Sequence, residues 1–468
     1  MRRTKIVATI GPACRDLETL TRMVDAGLDV ARLNFSHGNR ELHAENADLV
    51  RRASTAAGRQ VAILQDLPGP KIRIGRLEDD IAELKPGEKL VLMCGGNSVG
   101  NGERMSVSWG GLAAAVDPED IIYLADGAIR LRVQAVREGD GEVETAVEIG
   151  GAVSSRQGLN IPGSTRGLPA VPEEDLDMLR FGESIGVDLV ALSFVRTAED
   201  VTSVRRHTRL PLIAKIEKPQ AVDSAEEIIR AADCVMVARG DLGIELPIED
   251  VPIVQKQLLR TAGKLARPAI TATQMLDSMV NSSRPTRAEV ADVANAILDG
   301  TDAVMLSQET AVGSYPVGAV EMMASVAERV ENTLPYRAWN EERVRRDARD
   351  PAYTIAYSAC AAARDLHLAA LVVPTLSGRS ARLISAHRPQ VPIYALSPGK
   401  ETVRRCSLMW GVEAGPMRRH EVTEHLIADA AKRVVELGWV KSGSRVGITA
   451  GLPSGRPGTT SLFQIQRV

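Results

Sequence analysis

The sequence predicts an α/β protein built on a (β/α)8 TIM barrel, with a small β-barrel lid domain inserted into it and an open α/β domain at the C-terminal end. Three observations predict this. Eight apolar, strand-like segments alternate with helix-like stretches, as β/α units require. The alternation breaks once, after the third segment, into short strand-like pieces separated by Gly- and Asp-rich turns. A second α/β pattern then starts at Tyr353, behind a polar and charged connector, YRAWNEERVRRDARDP.

Each element can be justified in order. The barrel strands read KIVATIG from Lys5, VARLNFSHG from Val30, VAILQDLPG from Val61 and VDLVALSFV from Val187. PLIAKIE from Pro211, CVMVARGD from Cys234, PAITATQM from Pro268 and DAVMLSQET from Asp302 complete the eight. Such nearly continuous apolar runs suit parallel strands buried on both faces. The helices PEEDLDMLRFGESIG, TAEDVTSVRRH and RPTRAEVADVANAILDG place acidic residues early, where they favour the positive end of the helix dipole. The eighth helix runs from about Val317 to Asn332. The insertion carries EKLVLMC, DIIYLA, AIRLRVQAV and EVETAVEI, with turns such as GDGE at Gly139. It leaves from the C-terminal end of a strand, so it overhangs the barrel mouth, where lids are found. The last domain reads helix, LAALVVPT, helix, VPIYALS, helix, SRVGITAG and SLFQIQRV, an open mixed sheet. The predicted boundaries are 1–70 and 161–335 for the barrel, 71–160 for the lid and 350–468 for the C-terminal domain.

Composition excludes several classes of function. No apolar run approaches the roughly 18 residues of a membrane helix. The basic start, MRRTK, leads into a strand rather than a signal-peptide core, so a cytoplasmic protein is expected. A net charge of −3 without a basic tract leaves no footprint for nucleic acid. The five cysteines are scattered and never spaced as CxxC, which points to free thiols rather than a metal–thiolate site.

The chemistry gathers at the C-terminal ends of the strands: Arg32, Asn34, Ser36, Asp66, Lys215, Glu217, Asp241, Thr273 and Ser307. Residues two apart on a strand share a face, so Arg32 goes with Asn34 and Ser36, and Lys215 with Glu217. The same parity pairs Arg239 with Asp241 and Thr271 with Thr273. Polar groups in a buried barrel are costly unless they are used. Glu217 and Asp241 suit a hard divalent cation such as Mg²⁺, which takes one or two carboxylates and fills its shell with substrate oxygens and water. Lys215 adds positive charge for a developing anion, and the Arg32 fork suits phosphate. ARGDLGIELP reads as a strand-to-helix turn whose N–H groups would hold a carboxylate. Together these suit phosphoryl transfer coupled to an enolate.

The motifs MRRTKIVATIGPAC, ARLNFSHG, GPKIR, LSFVR, AKIEKPQAV, VMVARGDLGIELP, ATQMLDSM, RPTRAEVADVANAILDGTDAVMLS and SGRSAR resemble the pyruvate kinase family, in family order and over essentially the whole chain. The resemblance implies phosphoryl transfer from phosphoenolpyruvate to ADP, giving ATP and pyruvate. It implies Lys215 at the transition state, Glu217 and Asp241 on Mg²⁺ (or Mn²⁺), and Gly240, Asp241 and Thr273 on the substrate carboxylate side. It further implies Arg32 and Arg73 on phosphoryl groups, and Asn34, Phe35, Ser36 and His37 on the nucleotide side with Arg73. Thr273 and Ser307 match residues linked to proton delivery, through water. A homotetramer is implied as well.

The chain departs from the family pattern at several positions. Many relatives bind K⁺ through the equivalents of Asn34, Ser36 and Asp66, with a glutamate where this chain has Lys71. The Lys71 ammonium would replace the ion, so K⁺ is not required; the alternative is a solvent-facing Lys71 with K⁺ still bound. Leu67 and Pro68 replace a threonine and a lysine beside that region, Glu174 stands where a lysine is common near the nucleotide, and Gln308 replaces a small residue. In the last domain, Ser377, Gly378, Arg379 and Ser380, with Gly455, Arg456 and Gly458, read as an anion pocket at strand ends. The resemblance gives that pocket a phosphorylated small-molecule effector, with a sugar phosphate and a nucleoside monophosphate both open. Two other readings stay open: another phosphoenolpyruvate- or pyruvate-using barrel enzyme, and a catalytically weak, metabolite-sensing paralogue.

Overall fold

Eight short parallel strands close on themselves in chain order: β1 (Lys5–Thr9), β2 (Val30–Asn34), β3 (Ala62–Asp66), β4 (Leu189–Leu192), β5 (Leu212–Ile216), β6 (Cys234–Ala238), β7 (Ala269–Ala272) and β8 (Ala303–Leu306). In this computed structural model, which describes residues 2–162, 171–342, 350–451 and 460–468, β8 returns to β1 with Ala303 beside Lys5. Val7, Val30, Leu64, Ala191, Ile213, Met236, Ile270 and Met305 fill the barrel interior. Alternate strand residues face outward into two further clusters shared with the helices. Burial on both faces is why the strands read as unbroken apolar runs. The helix starts are fixed by side-chain caps: Asp16 accepts from the Thr19 N–H, Asn39 from the Leu42 N–H, and Thr197 and Thr286 form capping boxes with Asp200 and Glu289.

The N-terminal rim of the barrel carries a regular device. An aspartate stands immediately before each even strand: Asp29, Asp188, Asp233 and Asp302. Each accepts a backbone N–H from the preceding odd strand, at Ile6, Ile63, Leu212 and Ala269, over 2.8 to 3.0 Å. Each also meets an arginine, in the order Arg2, Arg51 with Arg404, Arg205 and Arg388. Four carboxylates thus stitch the strands in pairs at the end away from the mouth.

The insertion folds into a six-stranded and a two-stranded sheet between Ile81 and Asn160, around its own core of Leu90, Leu92, Met105, Val107, Leu131 and Val143. Its strands Ile81–Leu84, Arg104–Val107, Gly151–Ser154 and Leu159–Asn160 were not among the segments predicted. It overhangs the mouth, touching the helix Arg239–Glu245 where Asn160 donates to Glu245 at 3.5 Å.

The C-terminal domain is a five-stranded mixed sheet of β9 (Ala370–Pro374), β10 (Ile393–Ser397), β11 (Val412–Pro416), β12 (Arg445–Gly451) and β13 (Thr460–Arg467), in the order β11-β10-β9-β12-β13. Only the last pair is antiparallel. β11 was not predicted; its sequence, VEAGP, holds a glycine, a proline and a single β-branched residue. The domain docks against the aspartate rim. Arg388, fully buried, donates to Asp302 at 2.8 Å and to the Gly300 carbonyl at 2.9 Å, and lies over the Trp410 ring. Arg404 donates to Asp188 at 2.6 Å, and Leu408 joins the barrel's interior cluster from below.

Removing one partner of a buried ion pair strands the other charge. Arg388→Met should therefore lower unfolding free energy in urea by about 3–5 kcal/mol. Arg388→Met combined with Asp302→Asn should recover much of that loss, because the carboxamide oxygen can still accept the Ala269 N–H and no charge is left unpaired.

Candidate active site

The strands end where the charges begin. Arg32 is the middle residue of β2 and Asn34 its last, Asp66 closes β3 and Lys215 is the penultimate residue of β5, with Glu217 one residue beyond that strand. With Ser36, His37, Lys71, Arg73 and Asp241 they line one cleft of about 330 Å³ between barrel and lid, which the lid residues Gln157 and Gly158 also wall.

At its base lies a chain of alternating charge. Arg32 Nε donates to Asp66 Oδ2 at 2.6 Å. Lys215 Nζ stands 3.4 Å from Asp66 Oδ1 and 2.9 Å from Glu217 Oε1, and donates to Ser193 Oγ at 2.7 Å. Asp66 and Glu217 are buried, so either can ionise only with help from the cations beside it. Burial would raise Asp66, but Lys215 and Arg32 outweigh it and hold the carboxyl below its ordinary range. Burial would likewise lower Lys215, yet Asp66 and Glu217 reverse the sign and keep it an ammonium. Glu217 goes the other way: full burial pushes its carboxyl up, with Asp241 adding to the push, against the pull of Lys215.

Three carboxylates (Asp66, Glu217, Asp241) face two cations (Arg32, Lys215) in this cleft, which leaves one negative charge before the lid-side Lys71 and Arg73 are counted. Glu217 Oε1 and Asp66 Oδ1 face Lys215 but accept no well-directed hydrogen bond. Among the described residues no group of three or more His, Cys, Asp or Glu forms a metal cage. Glu217 and Asp241, two carboxylates at the base of the cleft, fit Mg²⁺, which leaves most of its shell to substrate and water.

The strand-parity reading fails just past two strand ends. β6 stops at Ala238 and the chain turns at once into the helix Arg239–Glu245, so Arg239 and Asp241 diverge. Asp241 lines the cleft, whereas Arg239 pairs with Asp292 and donates to the carbonyls of Ala272 at 3.1 Å and Thr273 at 2.7 Å. β7 stops at Ala272. Thr271 is a core residue bonded to Thr301, and Thr273 adopts φ +78°, an outlier for a β-branched side chain. Such a conformation costs roughly 1–3 kcal/mol and clusters at functional sites; the Arg239 guanidinium holds it. A Cβ on Gly240 would come within 2.7 Å of Thr273 Cγ2, so glycine is required for this approach. Gly240, Thr273 and Ser307 lie on neighbouring strand ends outside the enclosed cleft, and the Ser307 N–H donates to Glu309 at 2.7 Å.

The Phe35 side chain, expected on the nucleotide side, instead enters the core and stacks on His43 at 3.9 Å between ring centroids. Asn34 Oδ1 accepts the Ser36 N–H, shaping the turn that brings Ser36 and His37 to the cleft. Glu174 is exposed on the helix Glu173–Ser184. In the C-terminal domain Gly378 has φ +82°, Arg379 pairs with Asp350, Ser380 meets Thr460, and Ser377 is exposed. Gly455, Arg456 and Gly458 lie outside the described residues.

Two residues of the site went unread in the sequence. Ser193 follows β4 and touches Lys215. Asp175, buried, accepts the Gly69 N–H at 2.8 Å, in the loop that starts the lid. Burial, with Glu174 and Asp66 nearby, raises Asp175 to about 6 against the effect of that bond.

Comparison with known proteins agrees with this geometry. The family model "Pyruvate kinase, barrel domain" matches residues 1–320, and "Pyruvate kinase, alpha/beta domain" matches residues 353–466. The chain is 43% identical over 470 residues to a pyruvate kinase of Geobacillus stearothermophilus, covering 99% of this chain and 80% of that one. It is 41% identical over 474 residues to one from Staphylococcus saprophyticus, covering 100% and 81%. A crystal structure of a pyruvate kinase from Cryptosporidium parvum superposes with a TM-score of 0.92 at 34% identity, covering 100% and 96% of the two chains.

The raised Asp175 carboxyl sets a pH dependence with a definite sign. The folded protein holds this proton more tightly than the unfolded chain, so the contribution to stability is full below the unfolded value of 3.8 and is lost as pH rises through about 6. Asp175→Asn keeps an acceptor for Gly69 but cannot ionise. The difference in thermal midpoint between variant and parent should therefore grow in the variant's favour from pH 4 to pH 7.

Proposed function

The chain belongs to the pyruvate kinase family, and on that premise we propose how its barrel mouth carries the reaction. The phosphoryl group of phosphoenolpyruvate passes to the terminal oxygen of ADP: the enol O–P bond breaks, a new P–O bond completes ATP, and the enolate left behind takes a proton at carbon to become pyruvate. The observation that carries this reading is the Lys215 ammonium, held charged between Asp66 and Glu217 and flanked by Arg32. Phosphoryl transfer asks the protein mainly for positioning and for fixed positive charge around the moving group. Lys215 supplies it at the reacting centre, and Arg32 and Arg73 at the phosphoryl oxygens. Burial strengthens both effects, because pairwise electrostatics weaken in water.

Glu217 and Asp241 would hold Mg²⁺, or Mn²⁺ in its place; the ion, when bound, neutralises phosphoryl charge. Gly240, Asp241 and the strained Thr273 form the carboxylate side of the substrate. Thr273 and Ser307 bring the enolate its proton through an ordered water, since a hydroxyl alone is a poor acid. Asn34, Ser36 and His37 face the nucleotide. Lys71 lines the same cleft as Asn34, Ser36 and Asp66, and this supports an ammonium in the role that K⁺ plays in many relatives, so that K⁺ is not required. The Ser377–Ser380 loop takes a phosphorylated effector, and the enzyme works as a cytoplasmic homotetramer; no helix among the described residues is long and apolar enough to cross a membrane.

Lys215→Ala should lower kcat by ~10²–10³ or more while the fold survives. Near-parental turnover would remove Lys215 from the mechanism. Glu217→Ala should raise the Mg²⁺ concentration needed for half-maximal rate as well as cut the rate, and an unchanged metal response would remove Glu217 from the ion site.

A further inference from the structure

We propose that Ser193 is a positioning residue for phosphoryl transfer, fixing the Lys215 ammonium and tying it to the loop from which the lid departs. The inference rests on the role given to Lys215 above.

Ser193 is the first residue beyond β4 and is buried. Its Oγ lies 2.7 Å from Lys215 Nζ and 2.7 Å from the Leu67 carbonyl oxygen. The proton arrangement follows from the partners. An ammonium can only donate and a carbonyl can only accept, so the hydroxyl must accept from Lys215 and give its single proton to Leu67. A hydroxyl satisfied on both sides has no freedom to rotate, and each bond orients the other.

Leu67 follows Asp66 directly and opens the loop that leads into the lid. That loop is clamped against β4: the Leu67 N–H donates to the Ala191 carbonyl, and the Gly69 N–H to Asp175. At Gly69, φ is +70°, and a Cβ there would fall 2.9 Å from Ser193 Cβ and 3.0 Å from the Ser193 carbonyl oxygen. The loop therefore packs directly on Ser193. The next residue, Phe194, also has positive φ, at +56°, and donates its N–H to Glu217 Oε2 at 2.6 Å. Two consecutive residues thus hold both members of the Lys215–Glu217 pair, one through a hydroxyl and one through the backbone.

Of the three groups around Lys215 Nζ, Asp66 and Glu217 are charged, and their interactions change whenever a cation or a phosphate enters the cleft. Ser193 is the neutral one. Its hold on the ammonium does not depend on the charge state of the site, which suits it to keep Lys215 aimed while the carboxylates are engaged elsewhere. Misplacing a catalytic group by about 1 Å can cost on the order of 10²-fold in rate.

The test is a double-mutant cycle on the full-length enzyme, with pyruvate formation from phosphoenolpyruvate and ADP as the assay. Ser193→Ala should lower kcat about 10- to 100-fold and leave the KM for phosphoenolpyruvate within a factor of about two, because a transition-state contact has been weakened. In a Lys215→Ala background the same Ser193→Ala change should cost nothing further, because the group it positions is gone. Ser193→Cys, similar in size but a weak donor and acceptor, should resemble Ser193→Ala. An equal loss in both backgrounds would show a merely structural role and overturn the proposal, as would an unchanged kcat in Ser193→Ala. If Lys215→Ala itself keeps parental turnover, the fault lies in the role of Lys215; if Lys215→Ala is slow but the two losses multiply, only the inference about Ser193 fails.

Discussion

The site depends on one constraint: an ammonium and two carboxylates have been taken out of water together. Burying any one of Lys215, Asp66 and Glu217 alone would cost several kcal/mol, so each is present because the others are. Arg32 extends the chain of alternating charge beyond Asp66. The remaining features accommodate that arrangement. Ser193 and the Phe194 N–H satisfy the polar atoms that charge pairing leaves over, and Arg239 anchors the strained turn at Thr273. The cleft keeps one more carboxylate than it has cations at its base, so the site stays receptive to a metal ion and to positive groups brought over by the lid.

The two ends of the barrel use carboxylates differently. At the N-terminal rim the four aspartates each close a backbone hydrogen bond and an arginine pair, and the result is rigid. At the mouth, Asp66 Oδ1 and Glu217 Oε1 meet Lys215 through charge alone, without a well-directed hydrogen bond. The C-terminal domain is anchored to the rim, so its loops lie across the barrel from the chemistry. One strand spans the interval: Asp188, gripped by Arg404 of that domain, precedes β4, and Ser193 follows it. The barrel wall between the docking surface and the lysine is thus only the strand Leu189–Leu192 thick.

Much of this was legible in the sequence because burial leaves a strong pattern. Strands covered on both faces are apolar throughout, and a charged residue closing such a run stands out, as Lys215 and Asp66 do. The lid strand Ile81–Leu84 is mostly exposed and leaves no such pattern. Side-chain alternation located Lys215 and Glu217 together because β5 stays extended to its end. It misled at Arg239 because β6 ends before that residue, and at Thr273 because the backbone turns to positive φ directly after β7; nothing in the local composition marks either change. The family resemblance placed Phe35 on the nucleotide side with its neighbours, whereas its ring obeys the ordinary preference of an aromatic for the core. Ser193 was invisible for another reason: a serine after a strand is commonplace, and both its partners are distant in sequence, Lys215 by 22 residues and Leu67 by 126.

The central claim is that this chain supplies from its own side chains the positive charge its reaction needs, apart from the divalent ion. The most direct measurement is pyruvate formation from phosphoenolpyruvate, ADP and Mg²⁺ in a buffer free of K⁺, repeated with K⁺ added. The account predicts full turnover without K⁺ and no gain on adding it. Turnover that appears only with K⁺ would contradict it, placing the ion where Lys71 is assigned.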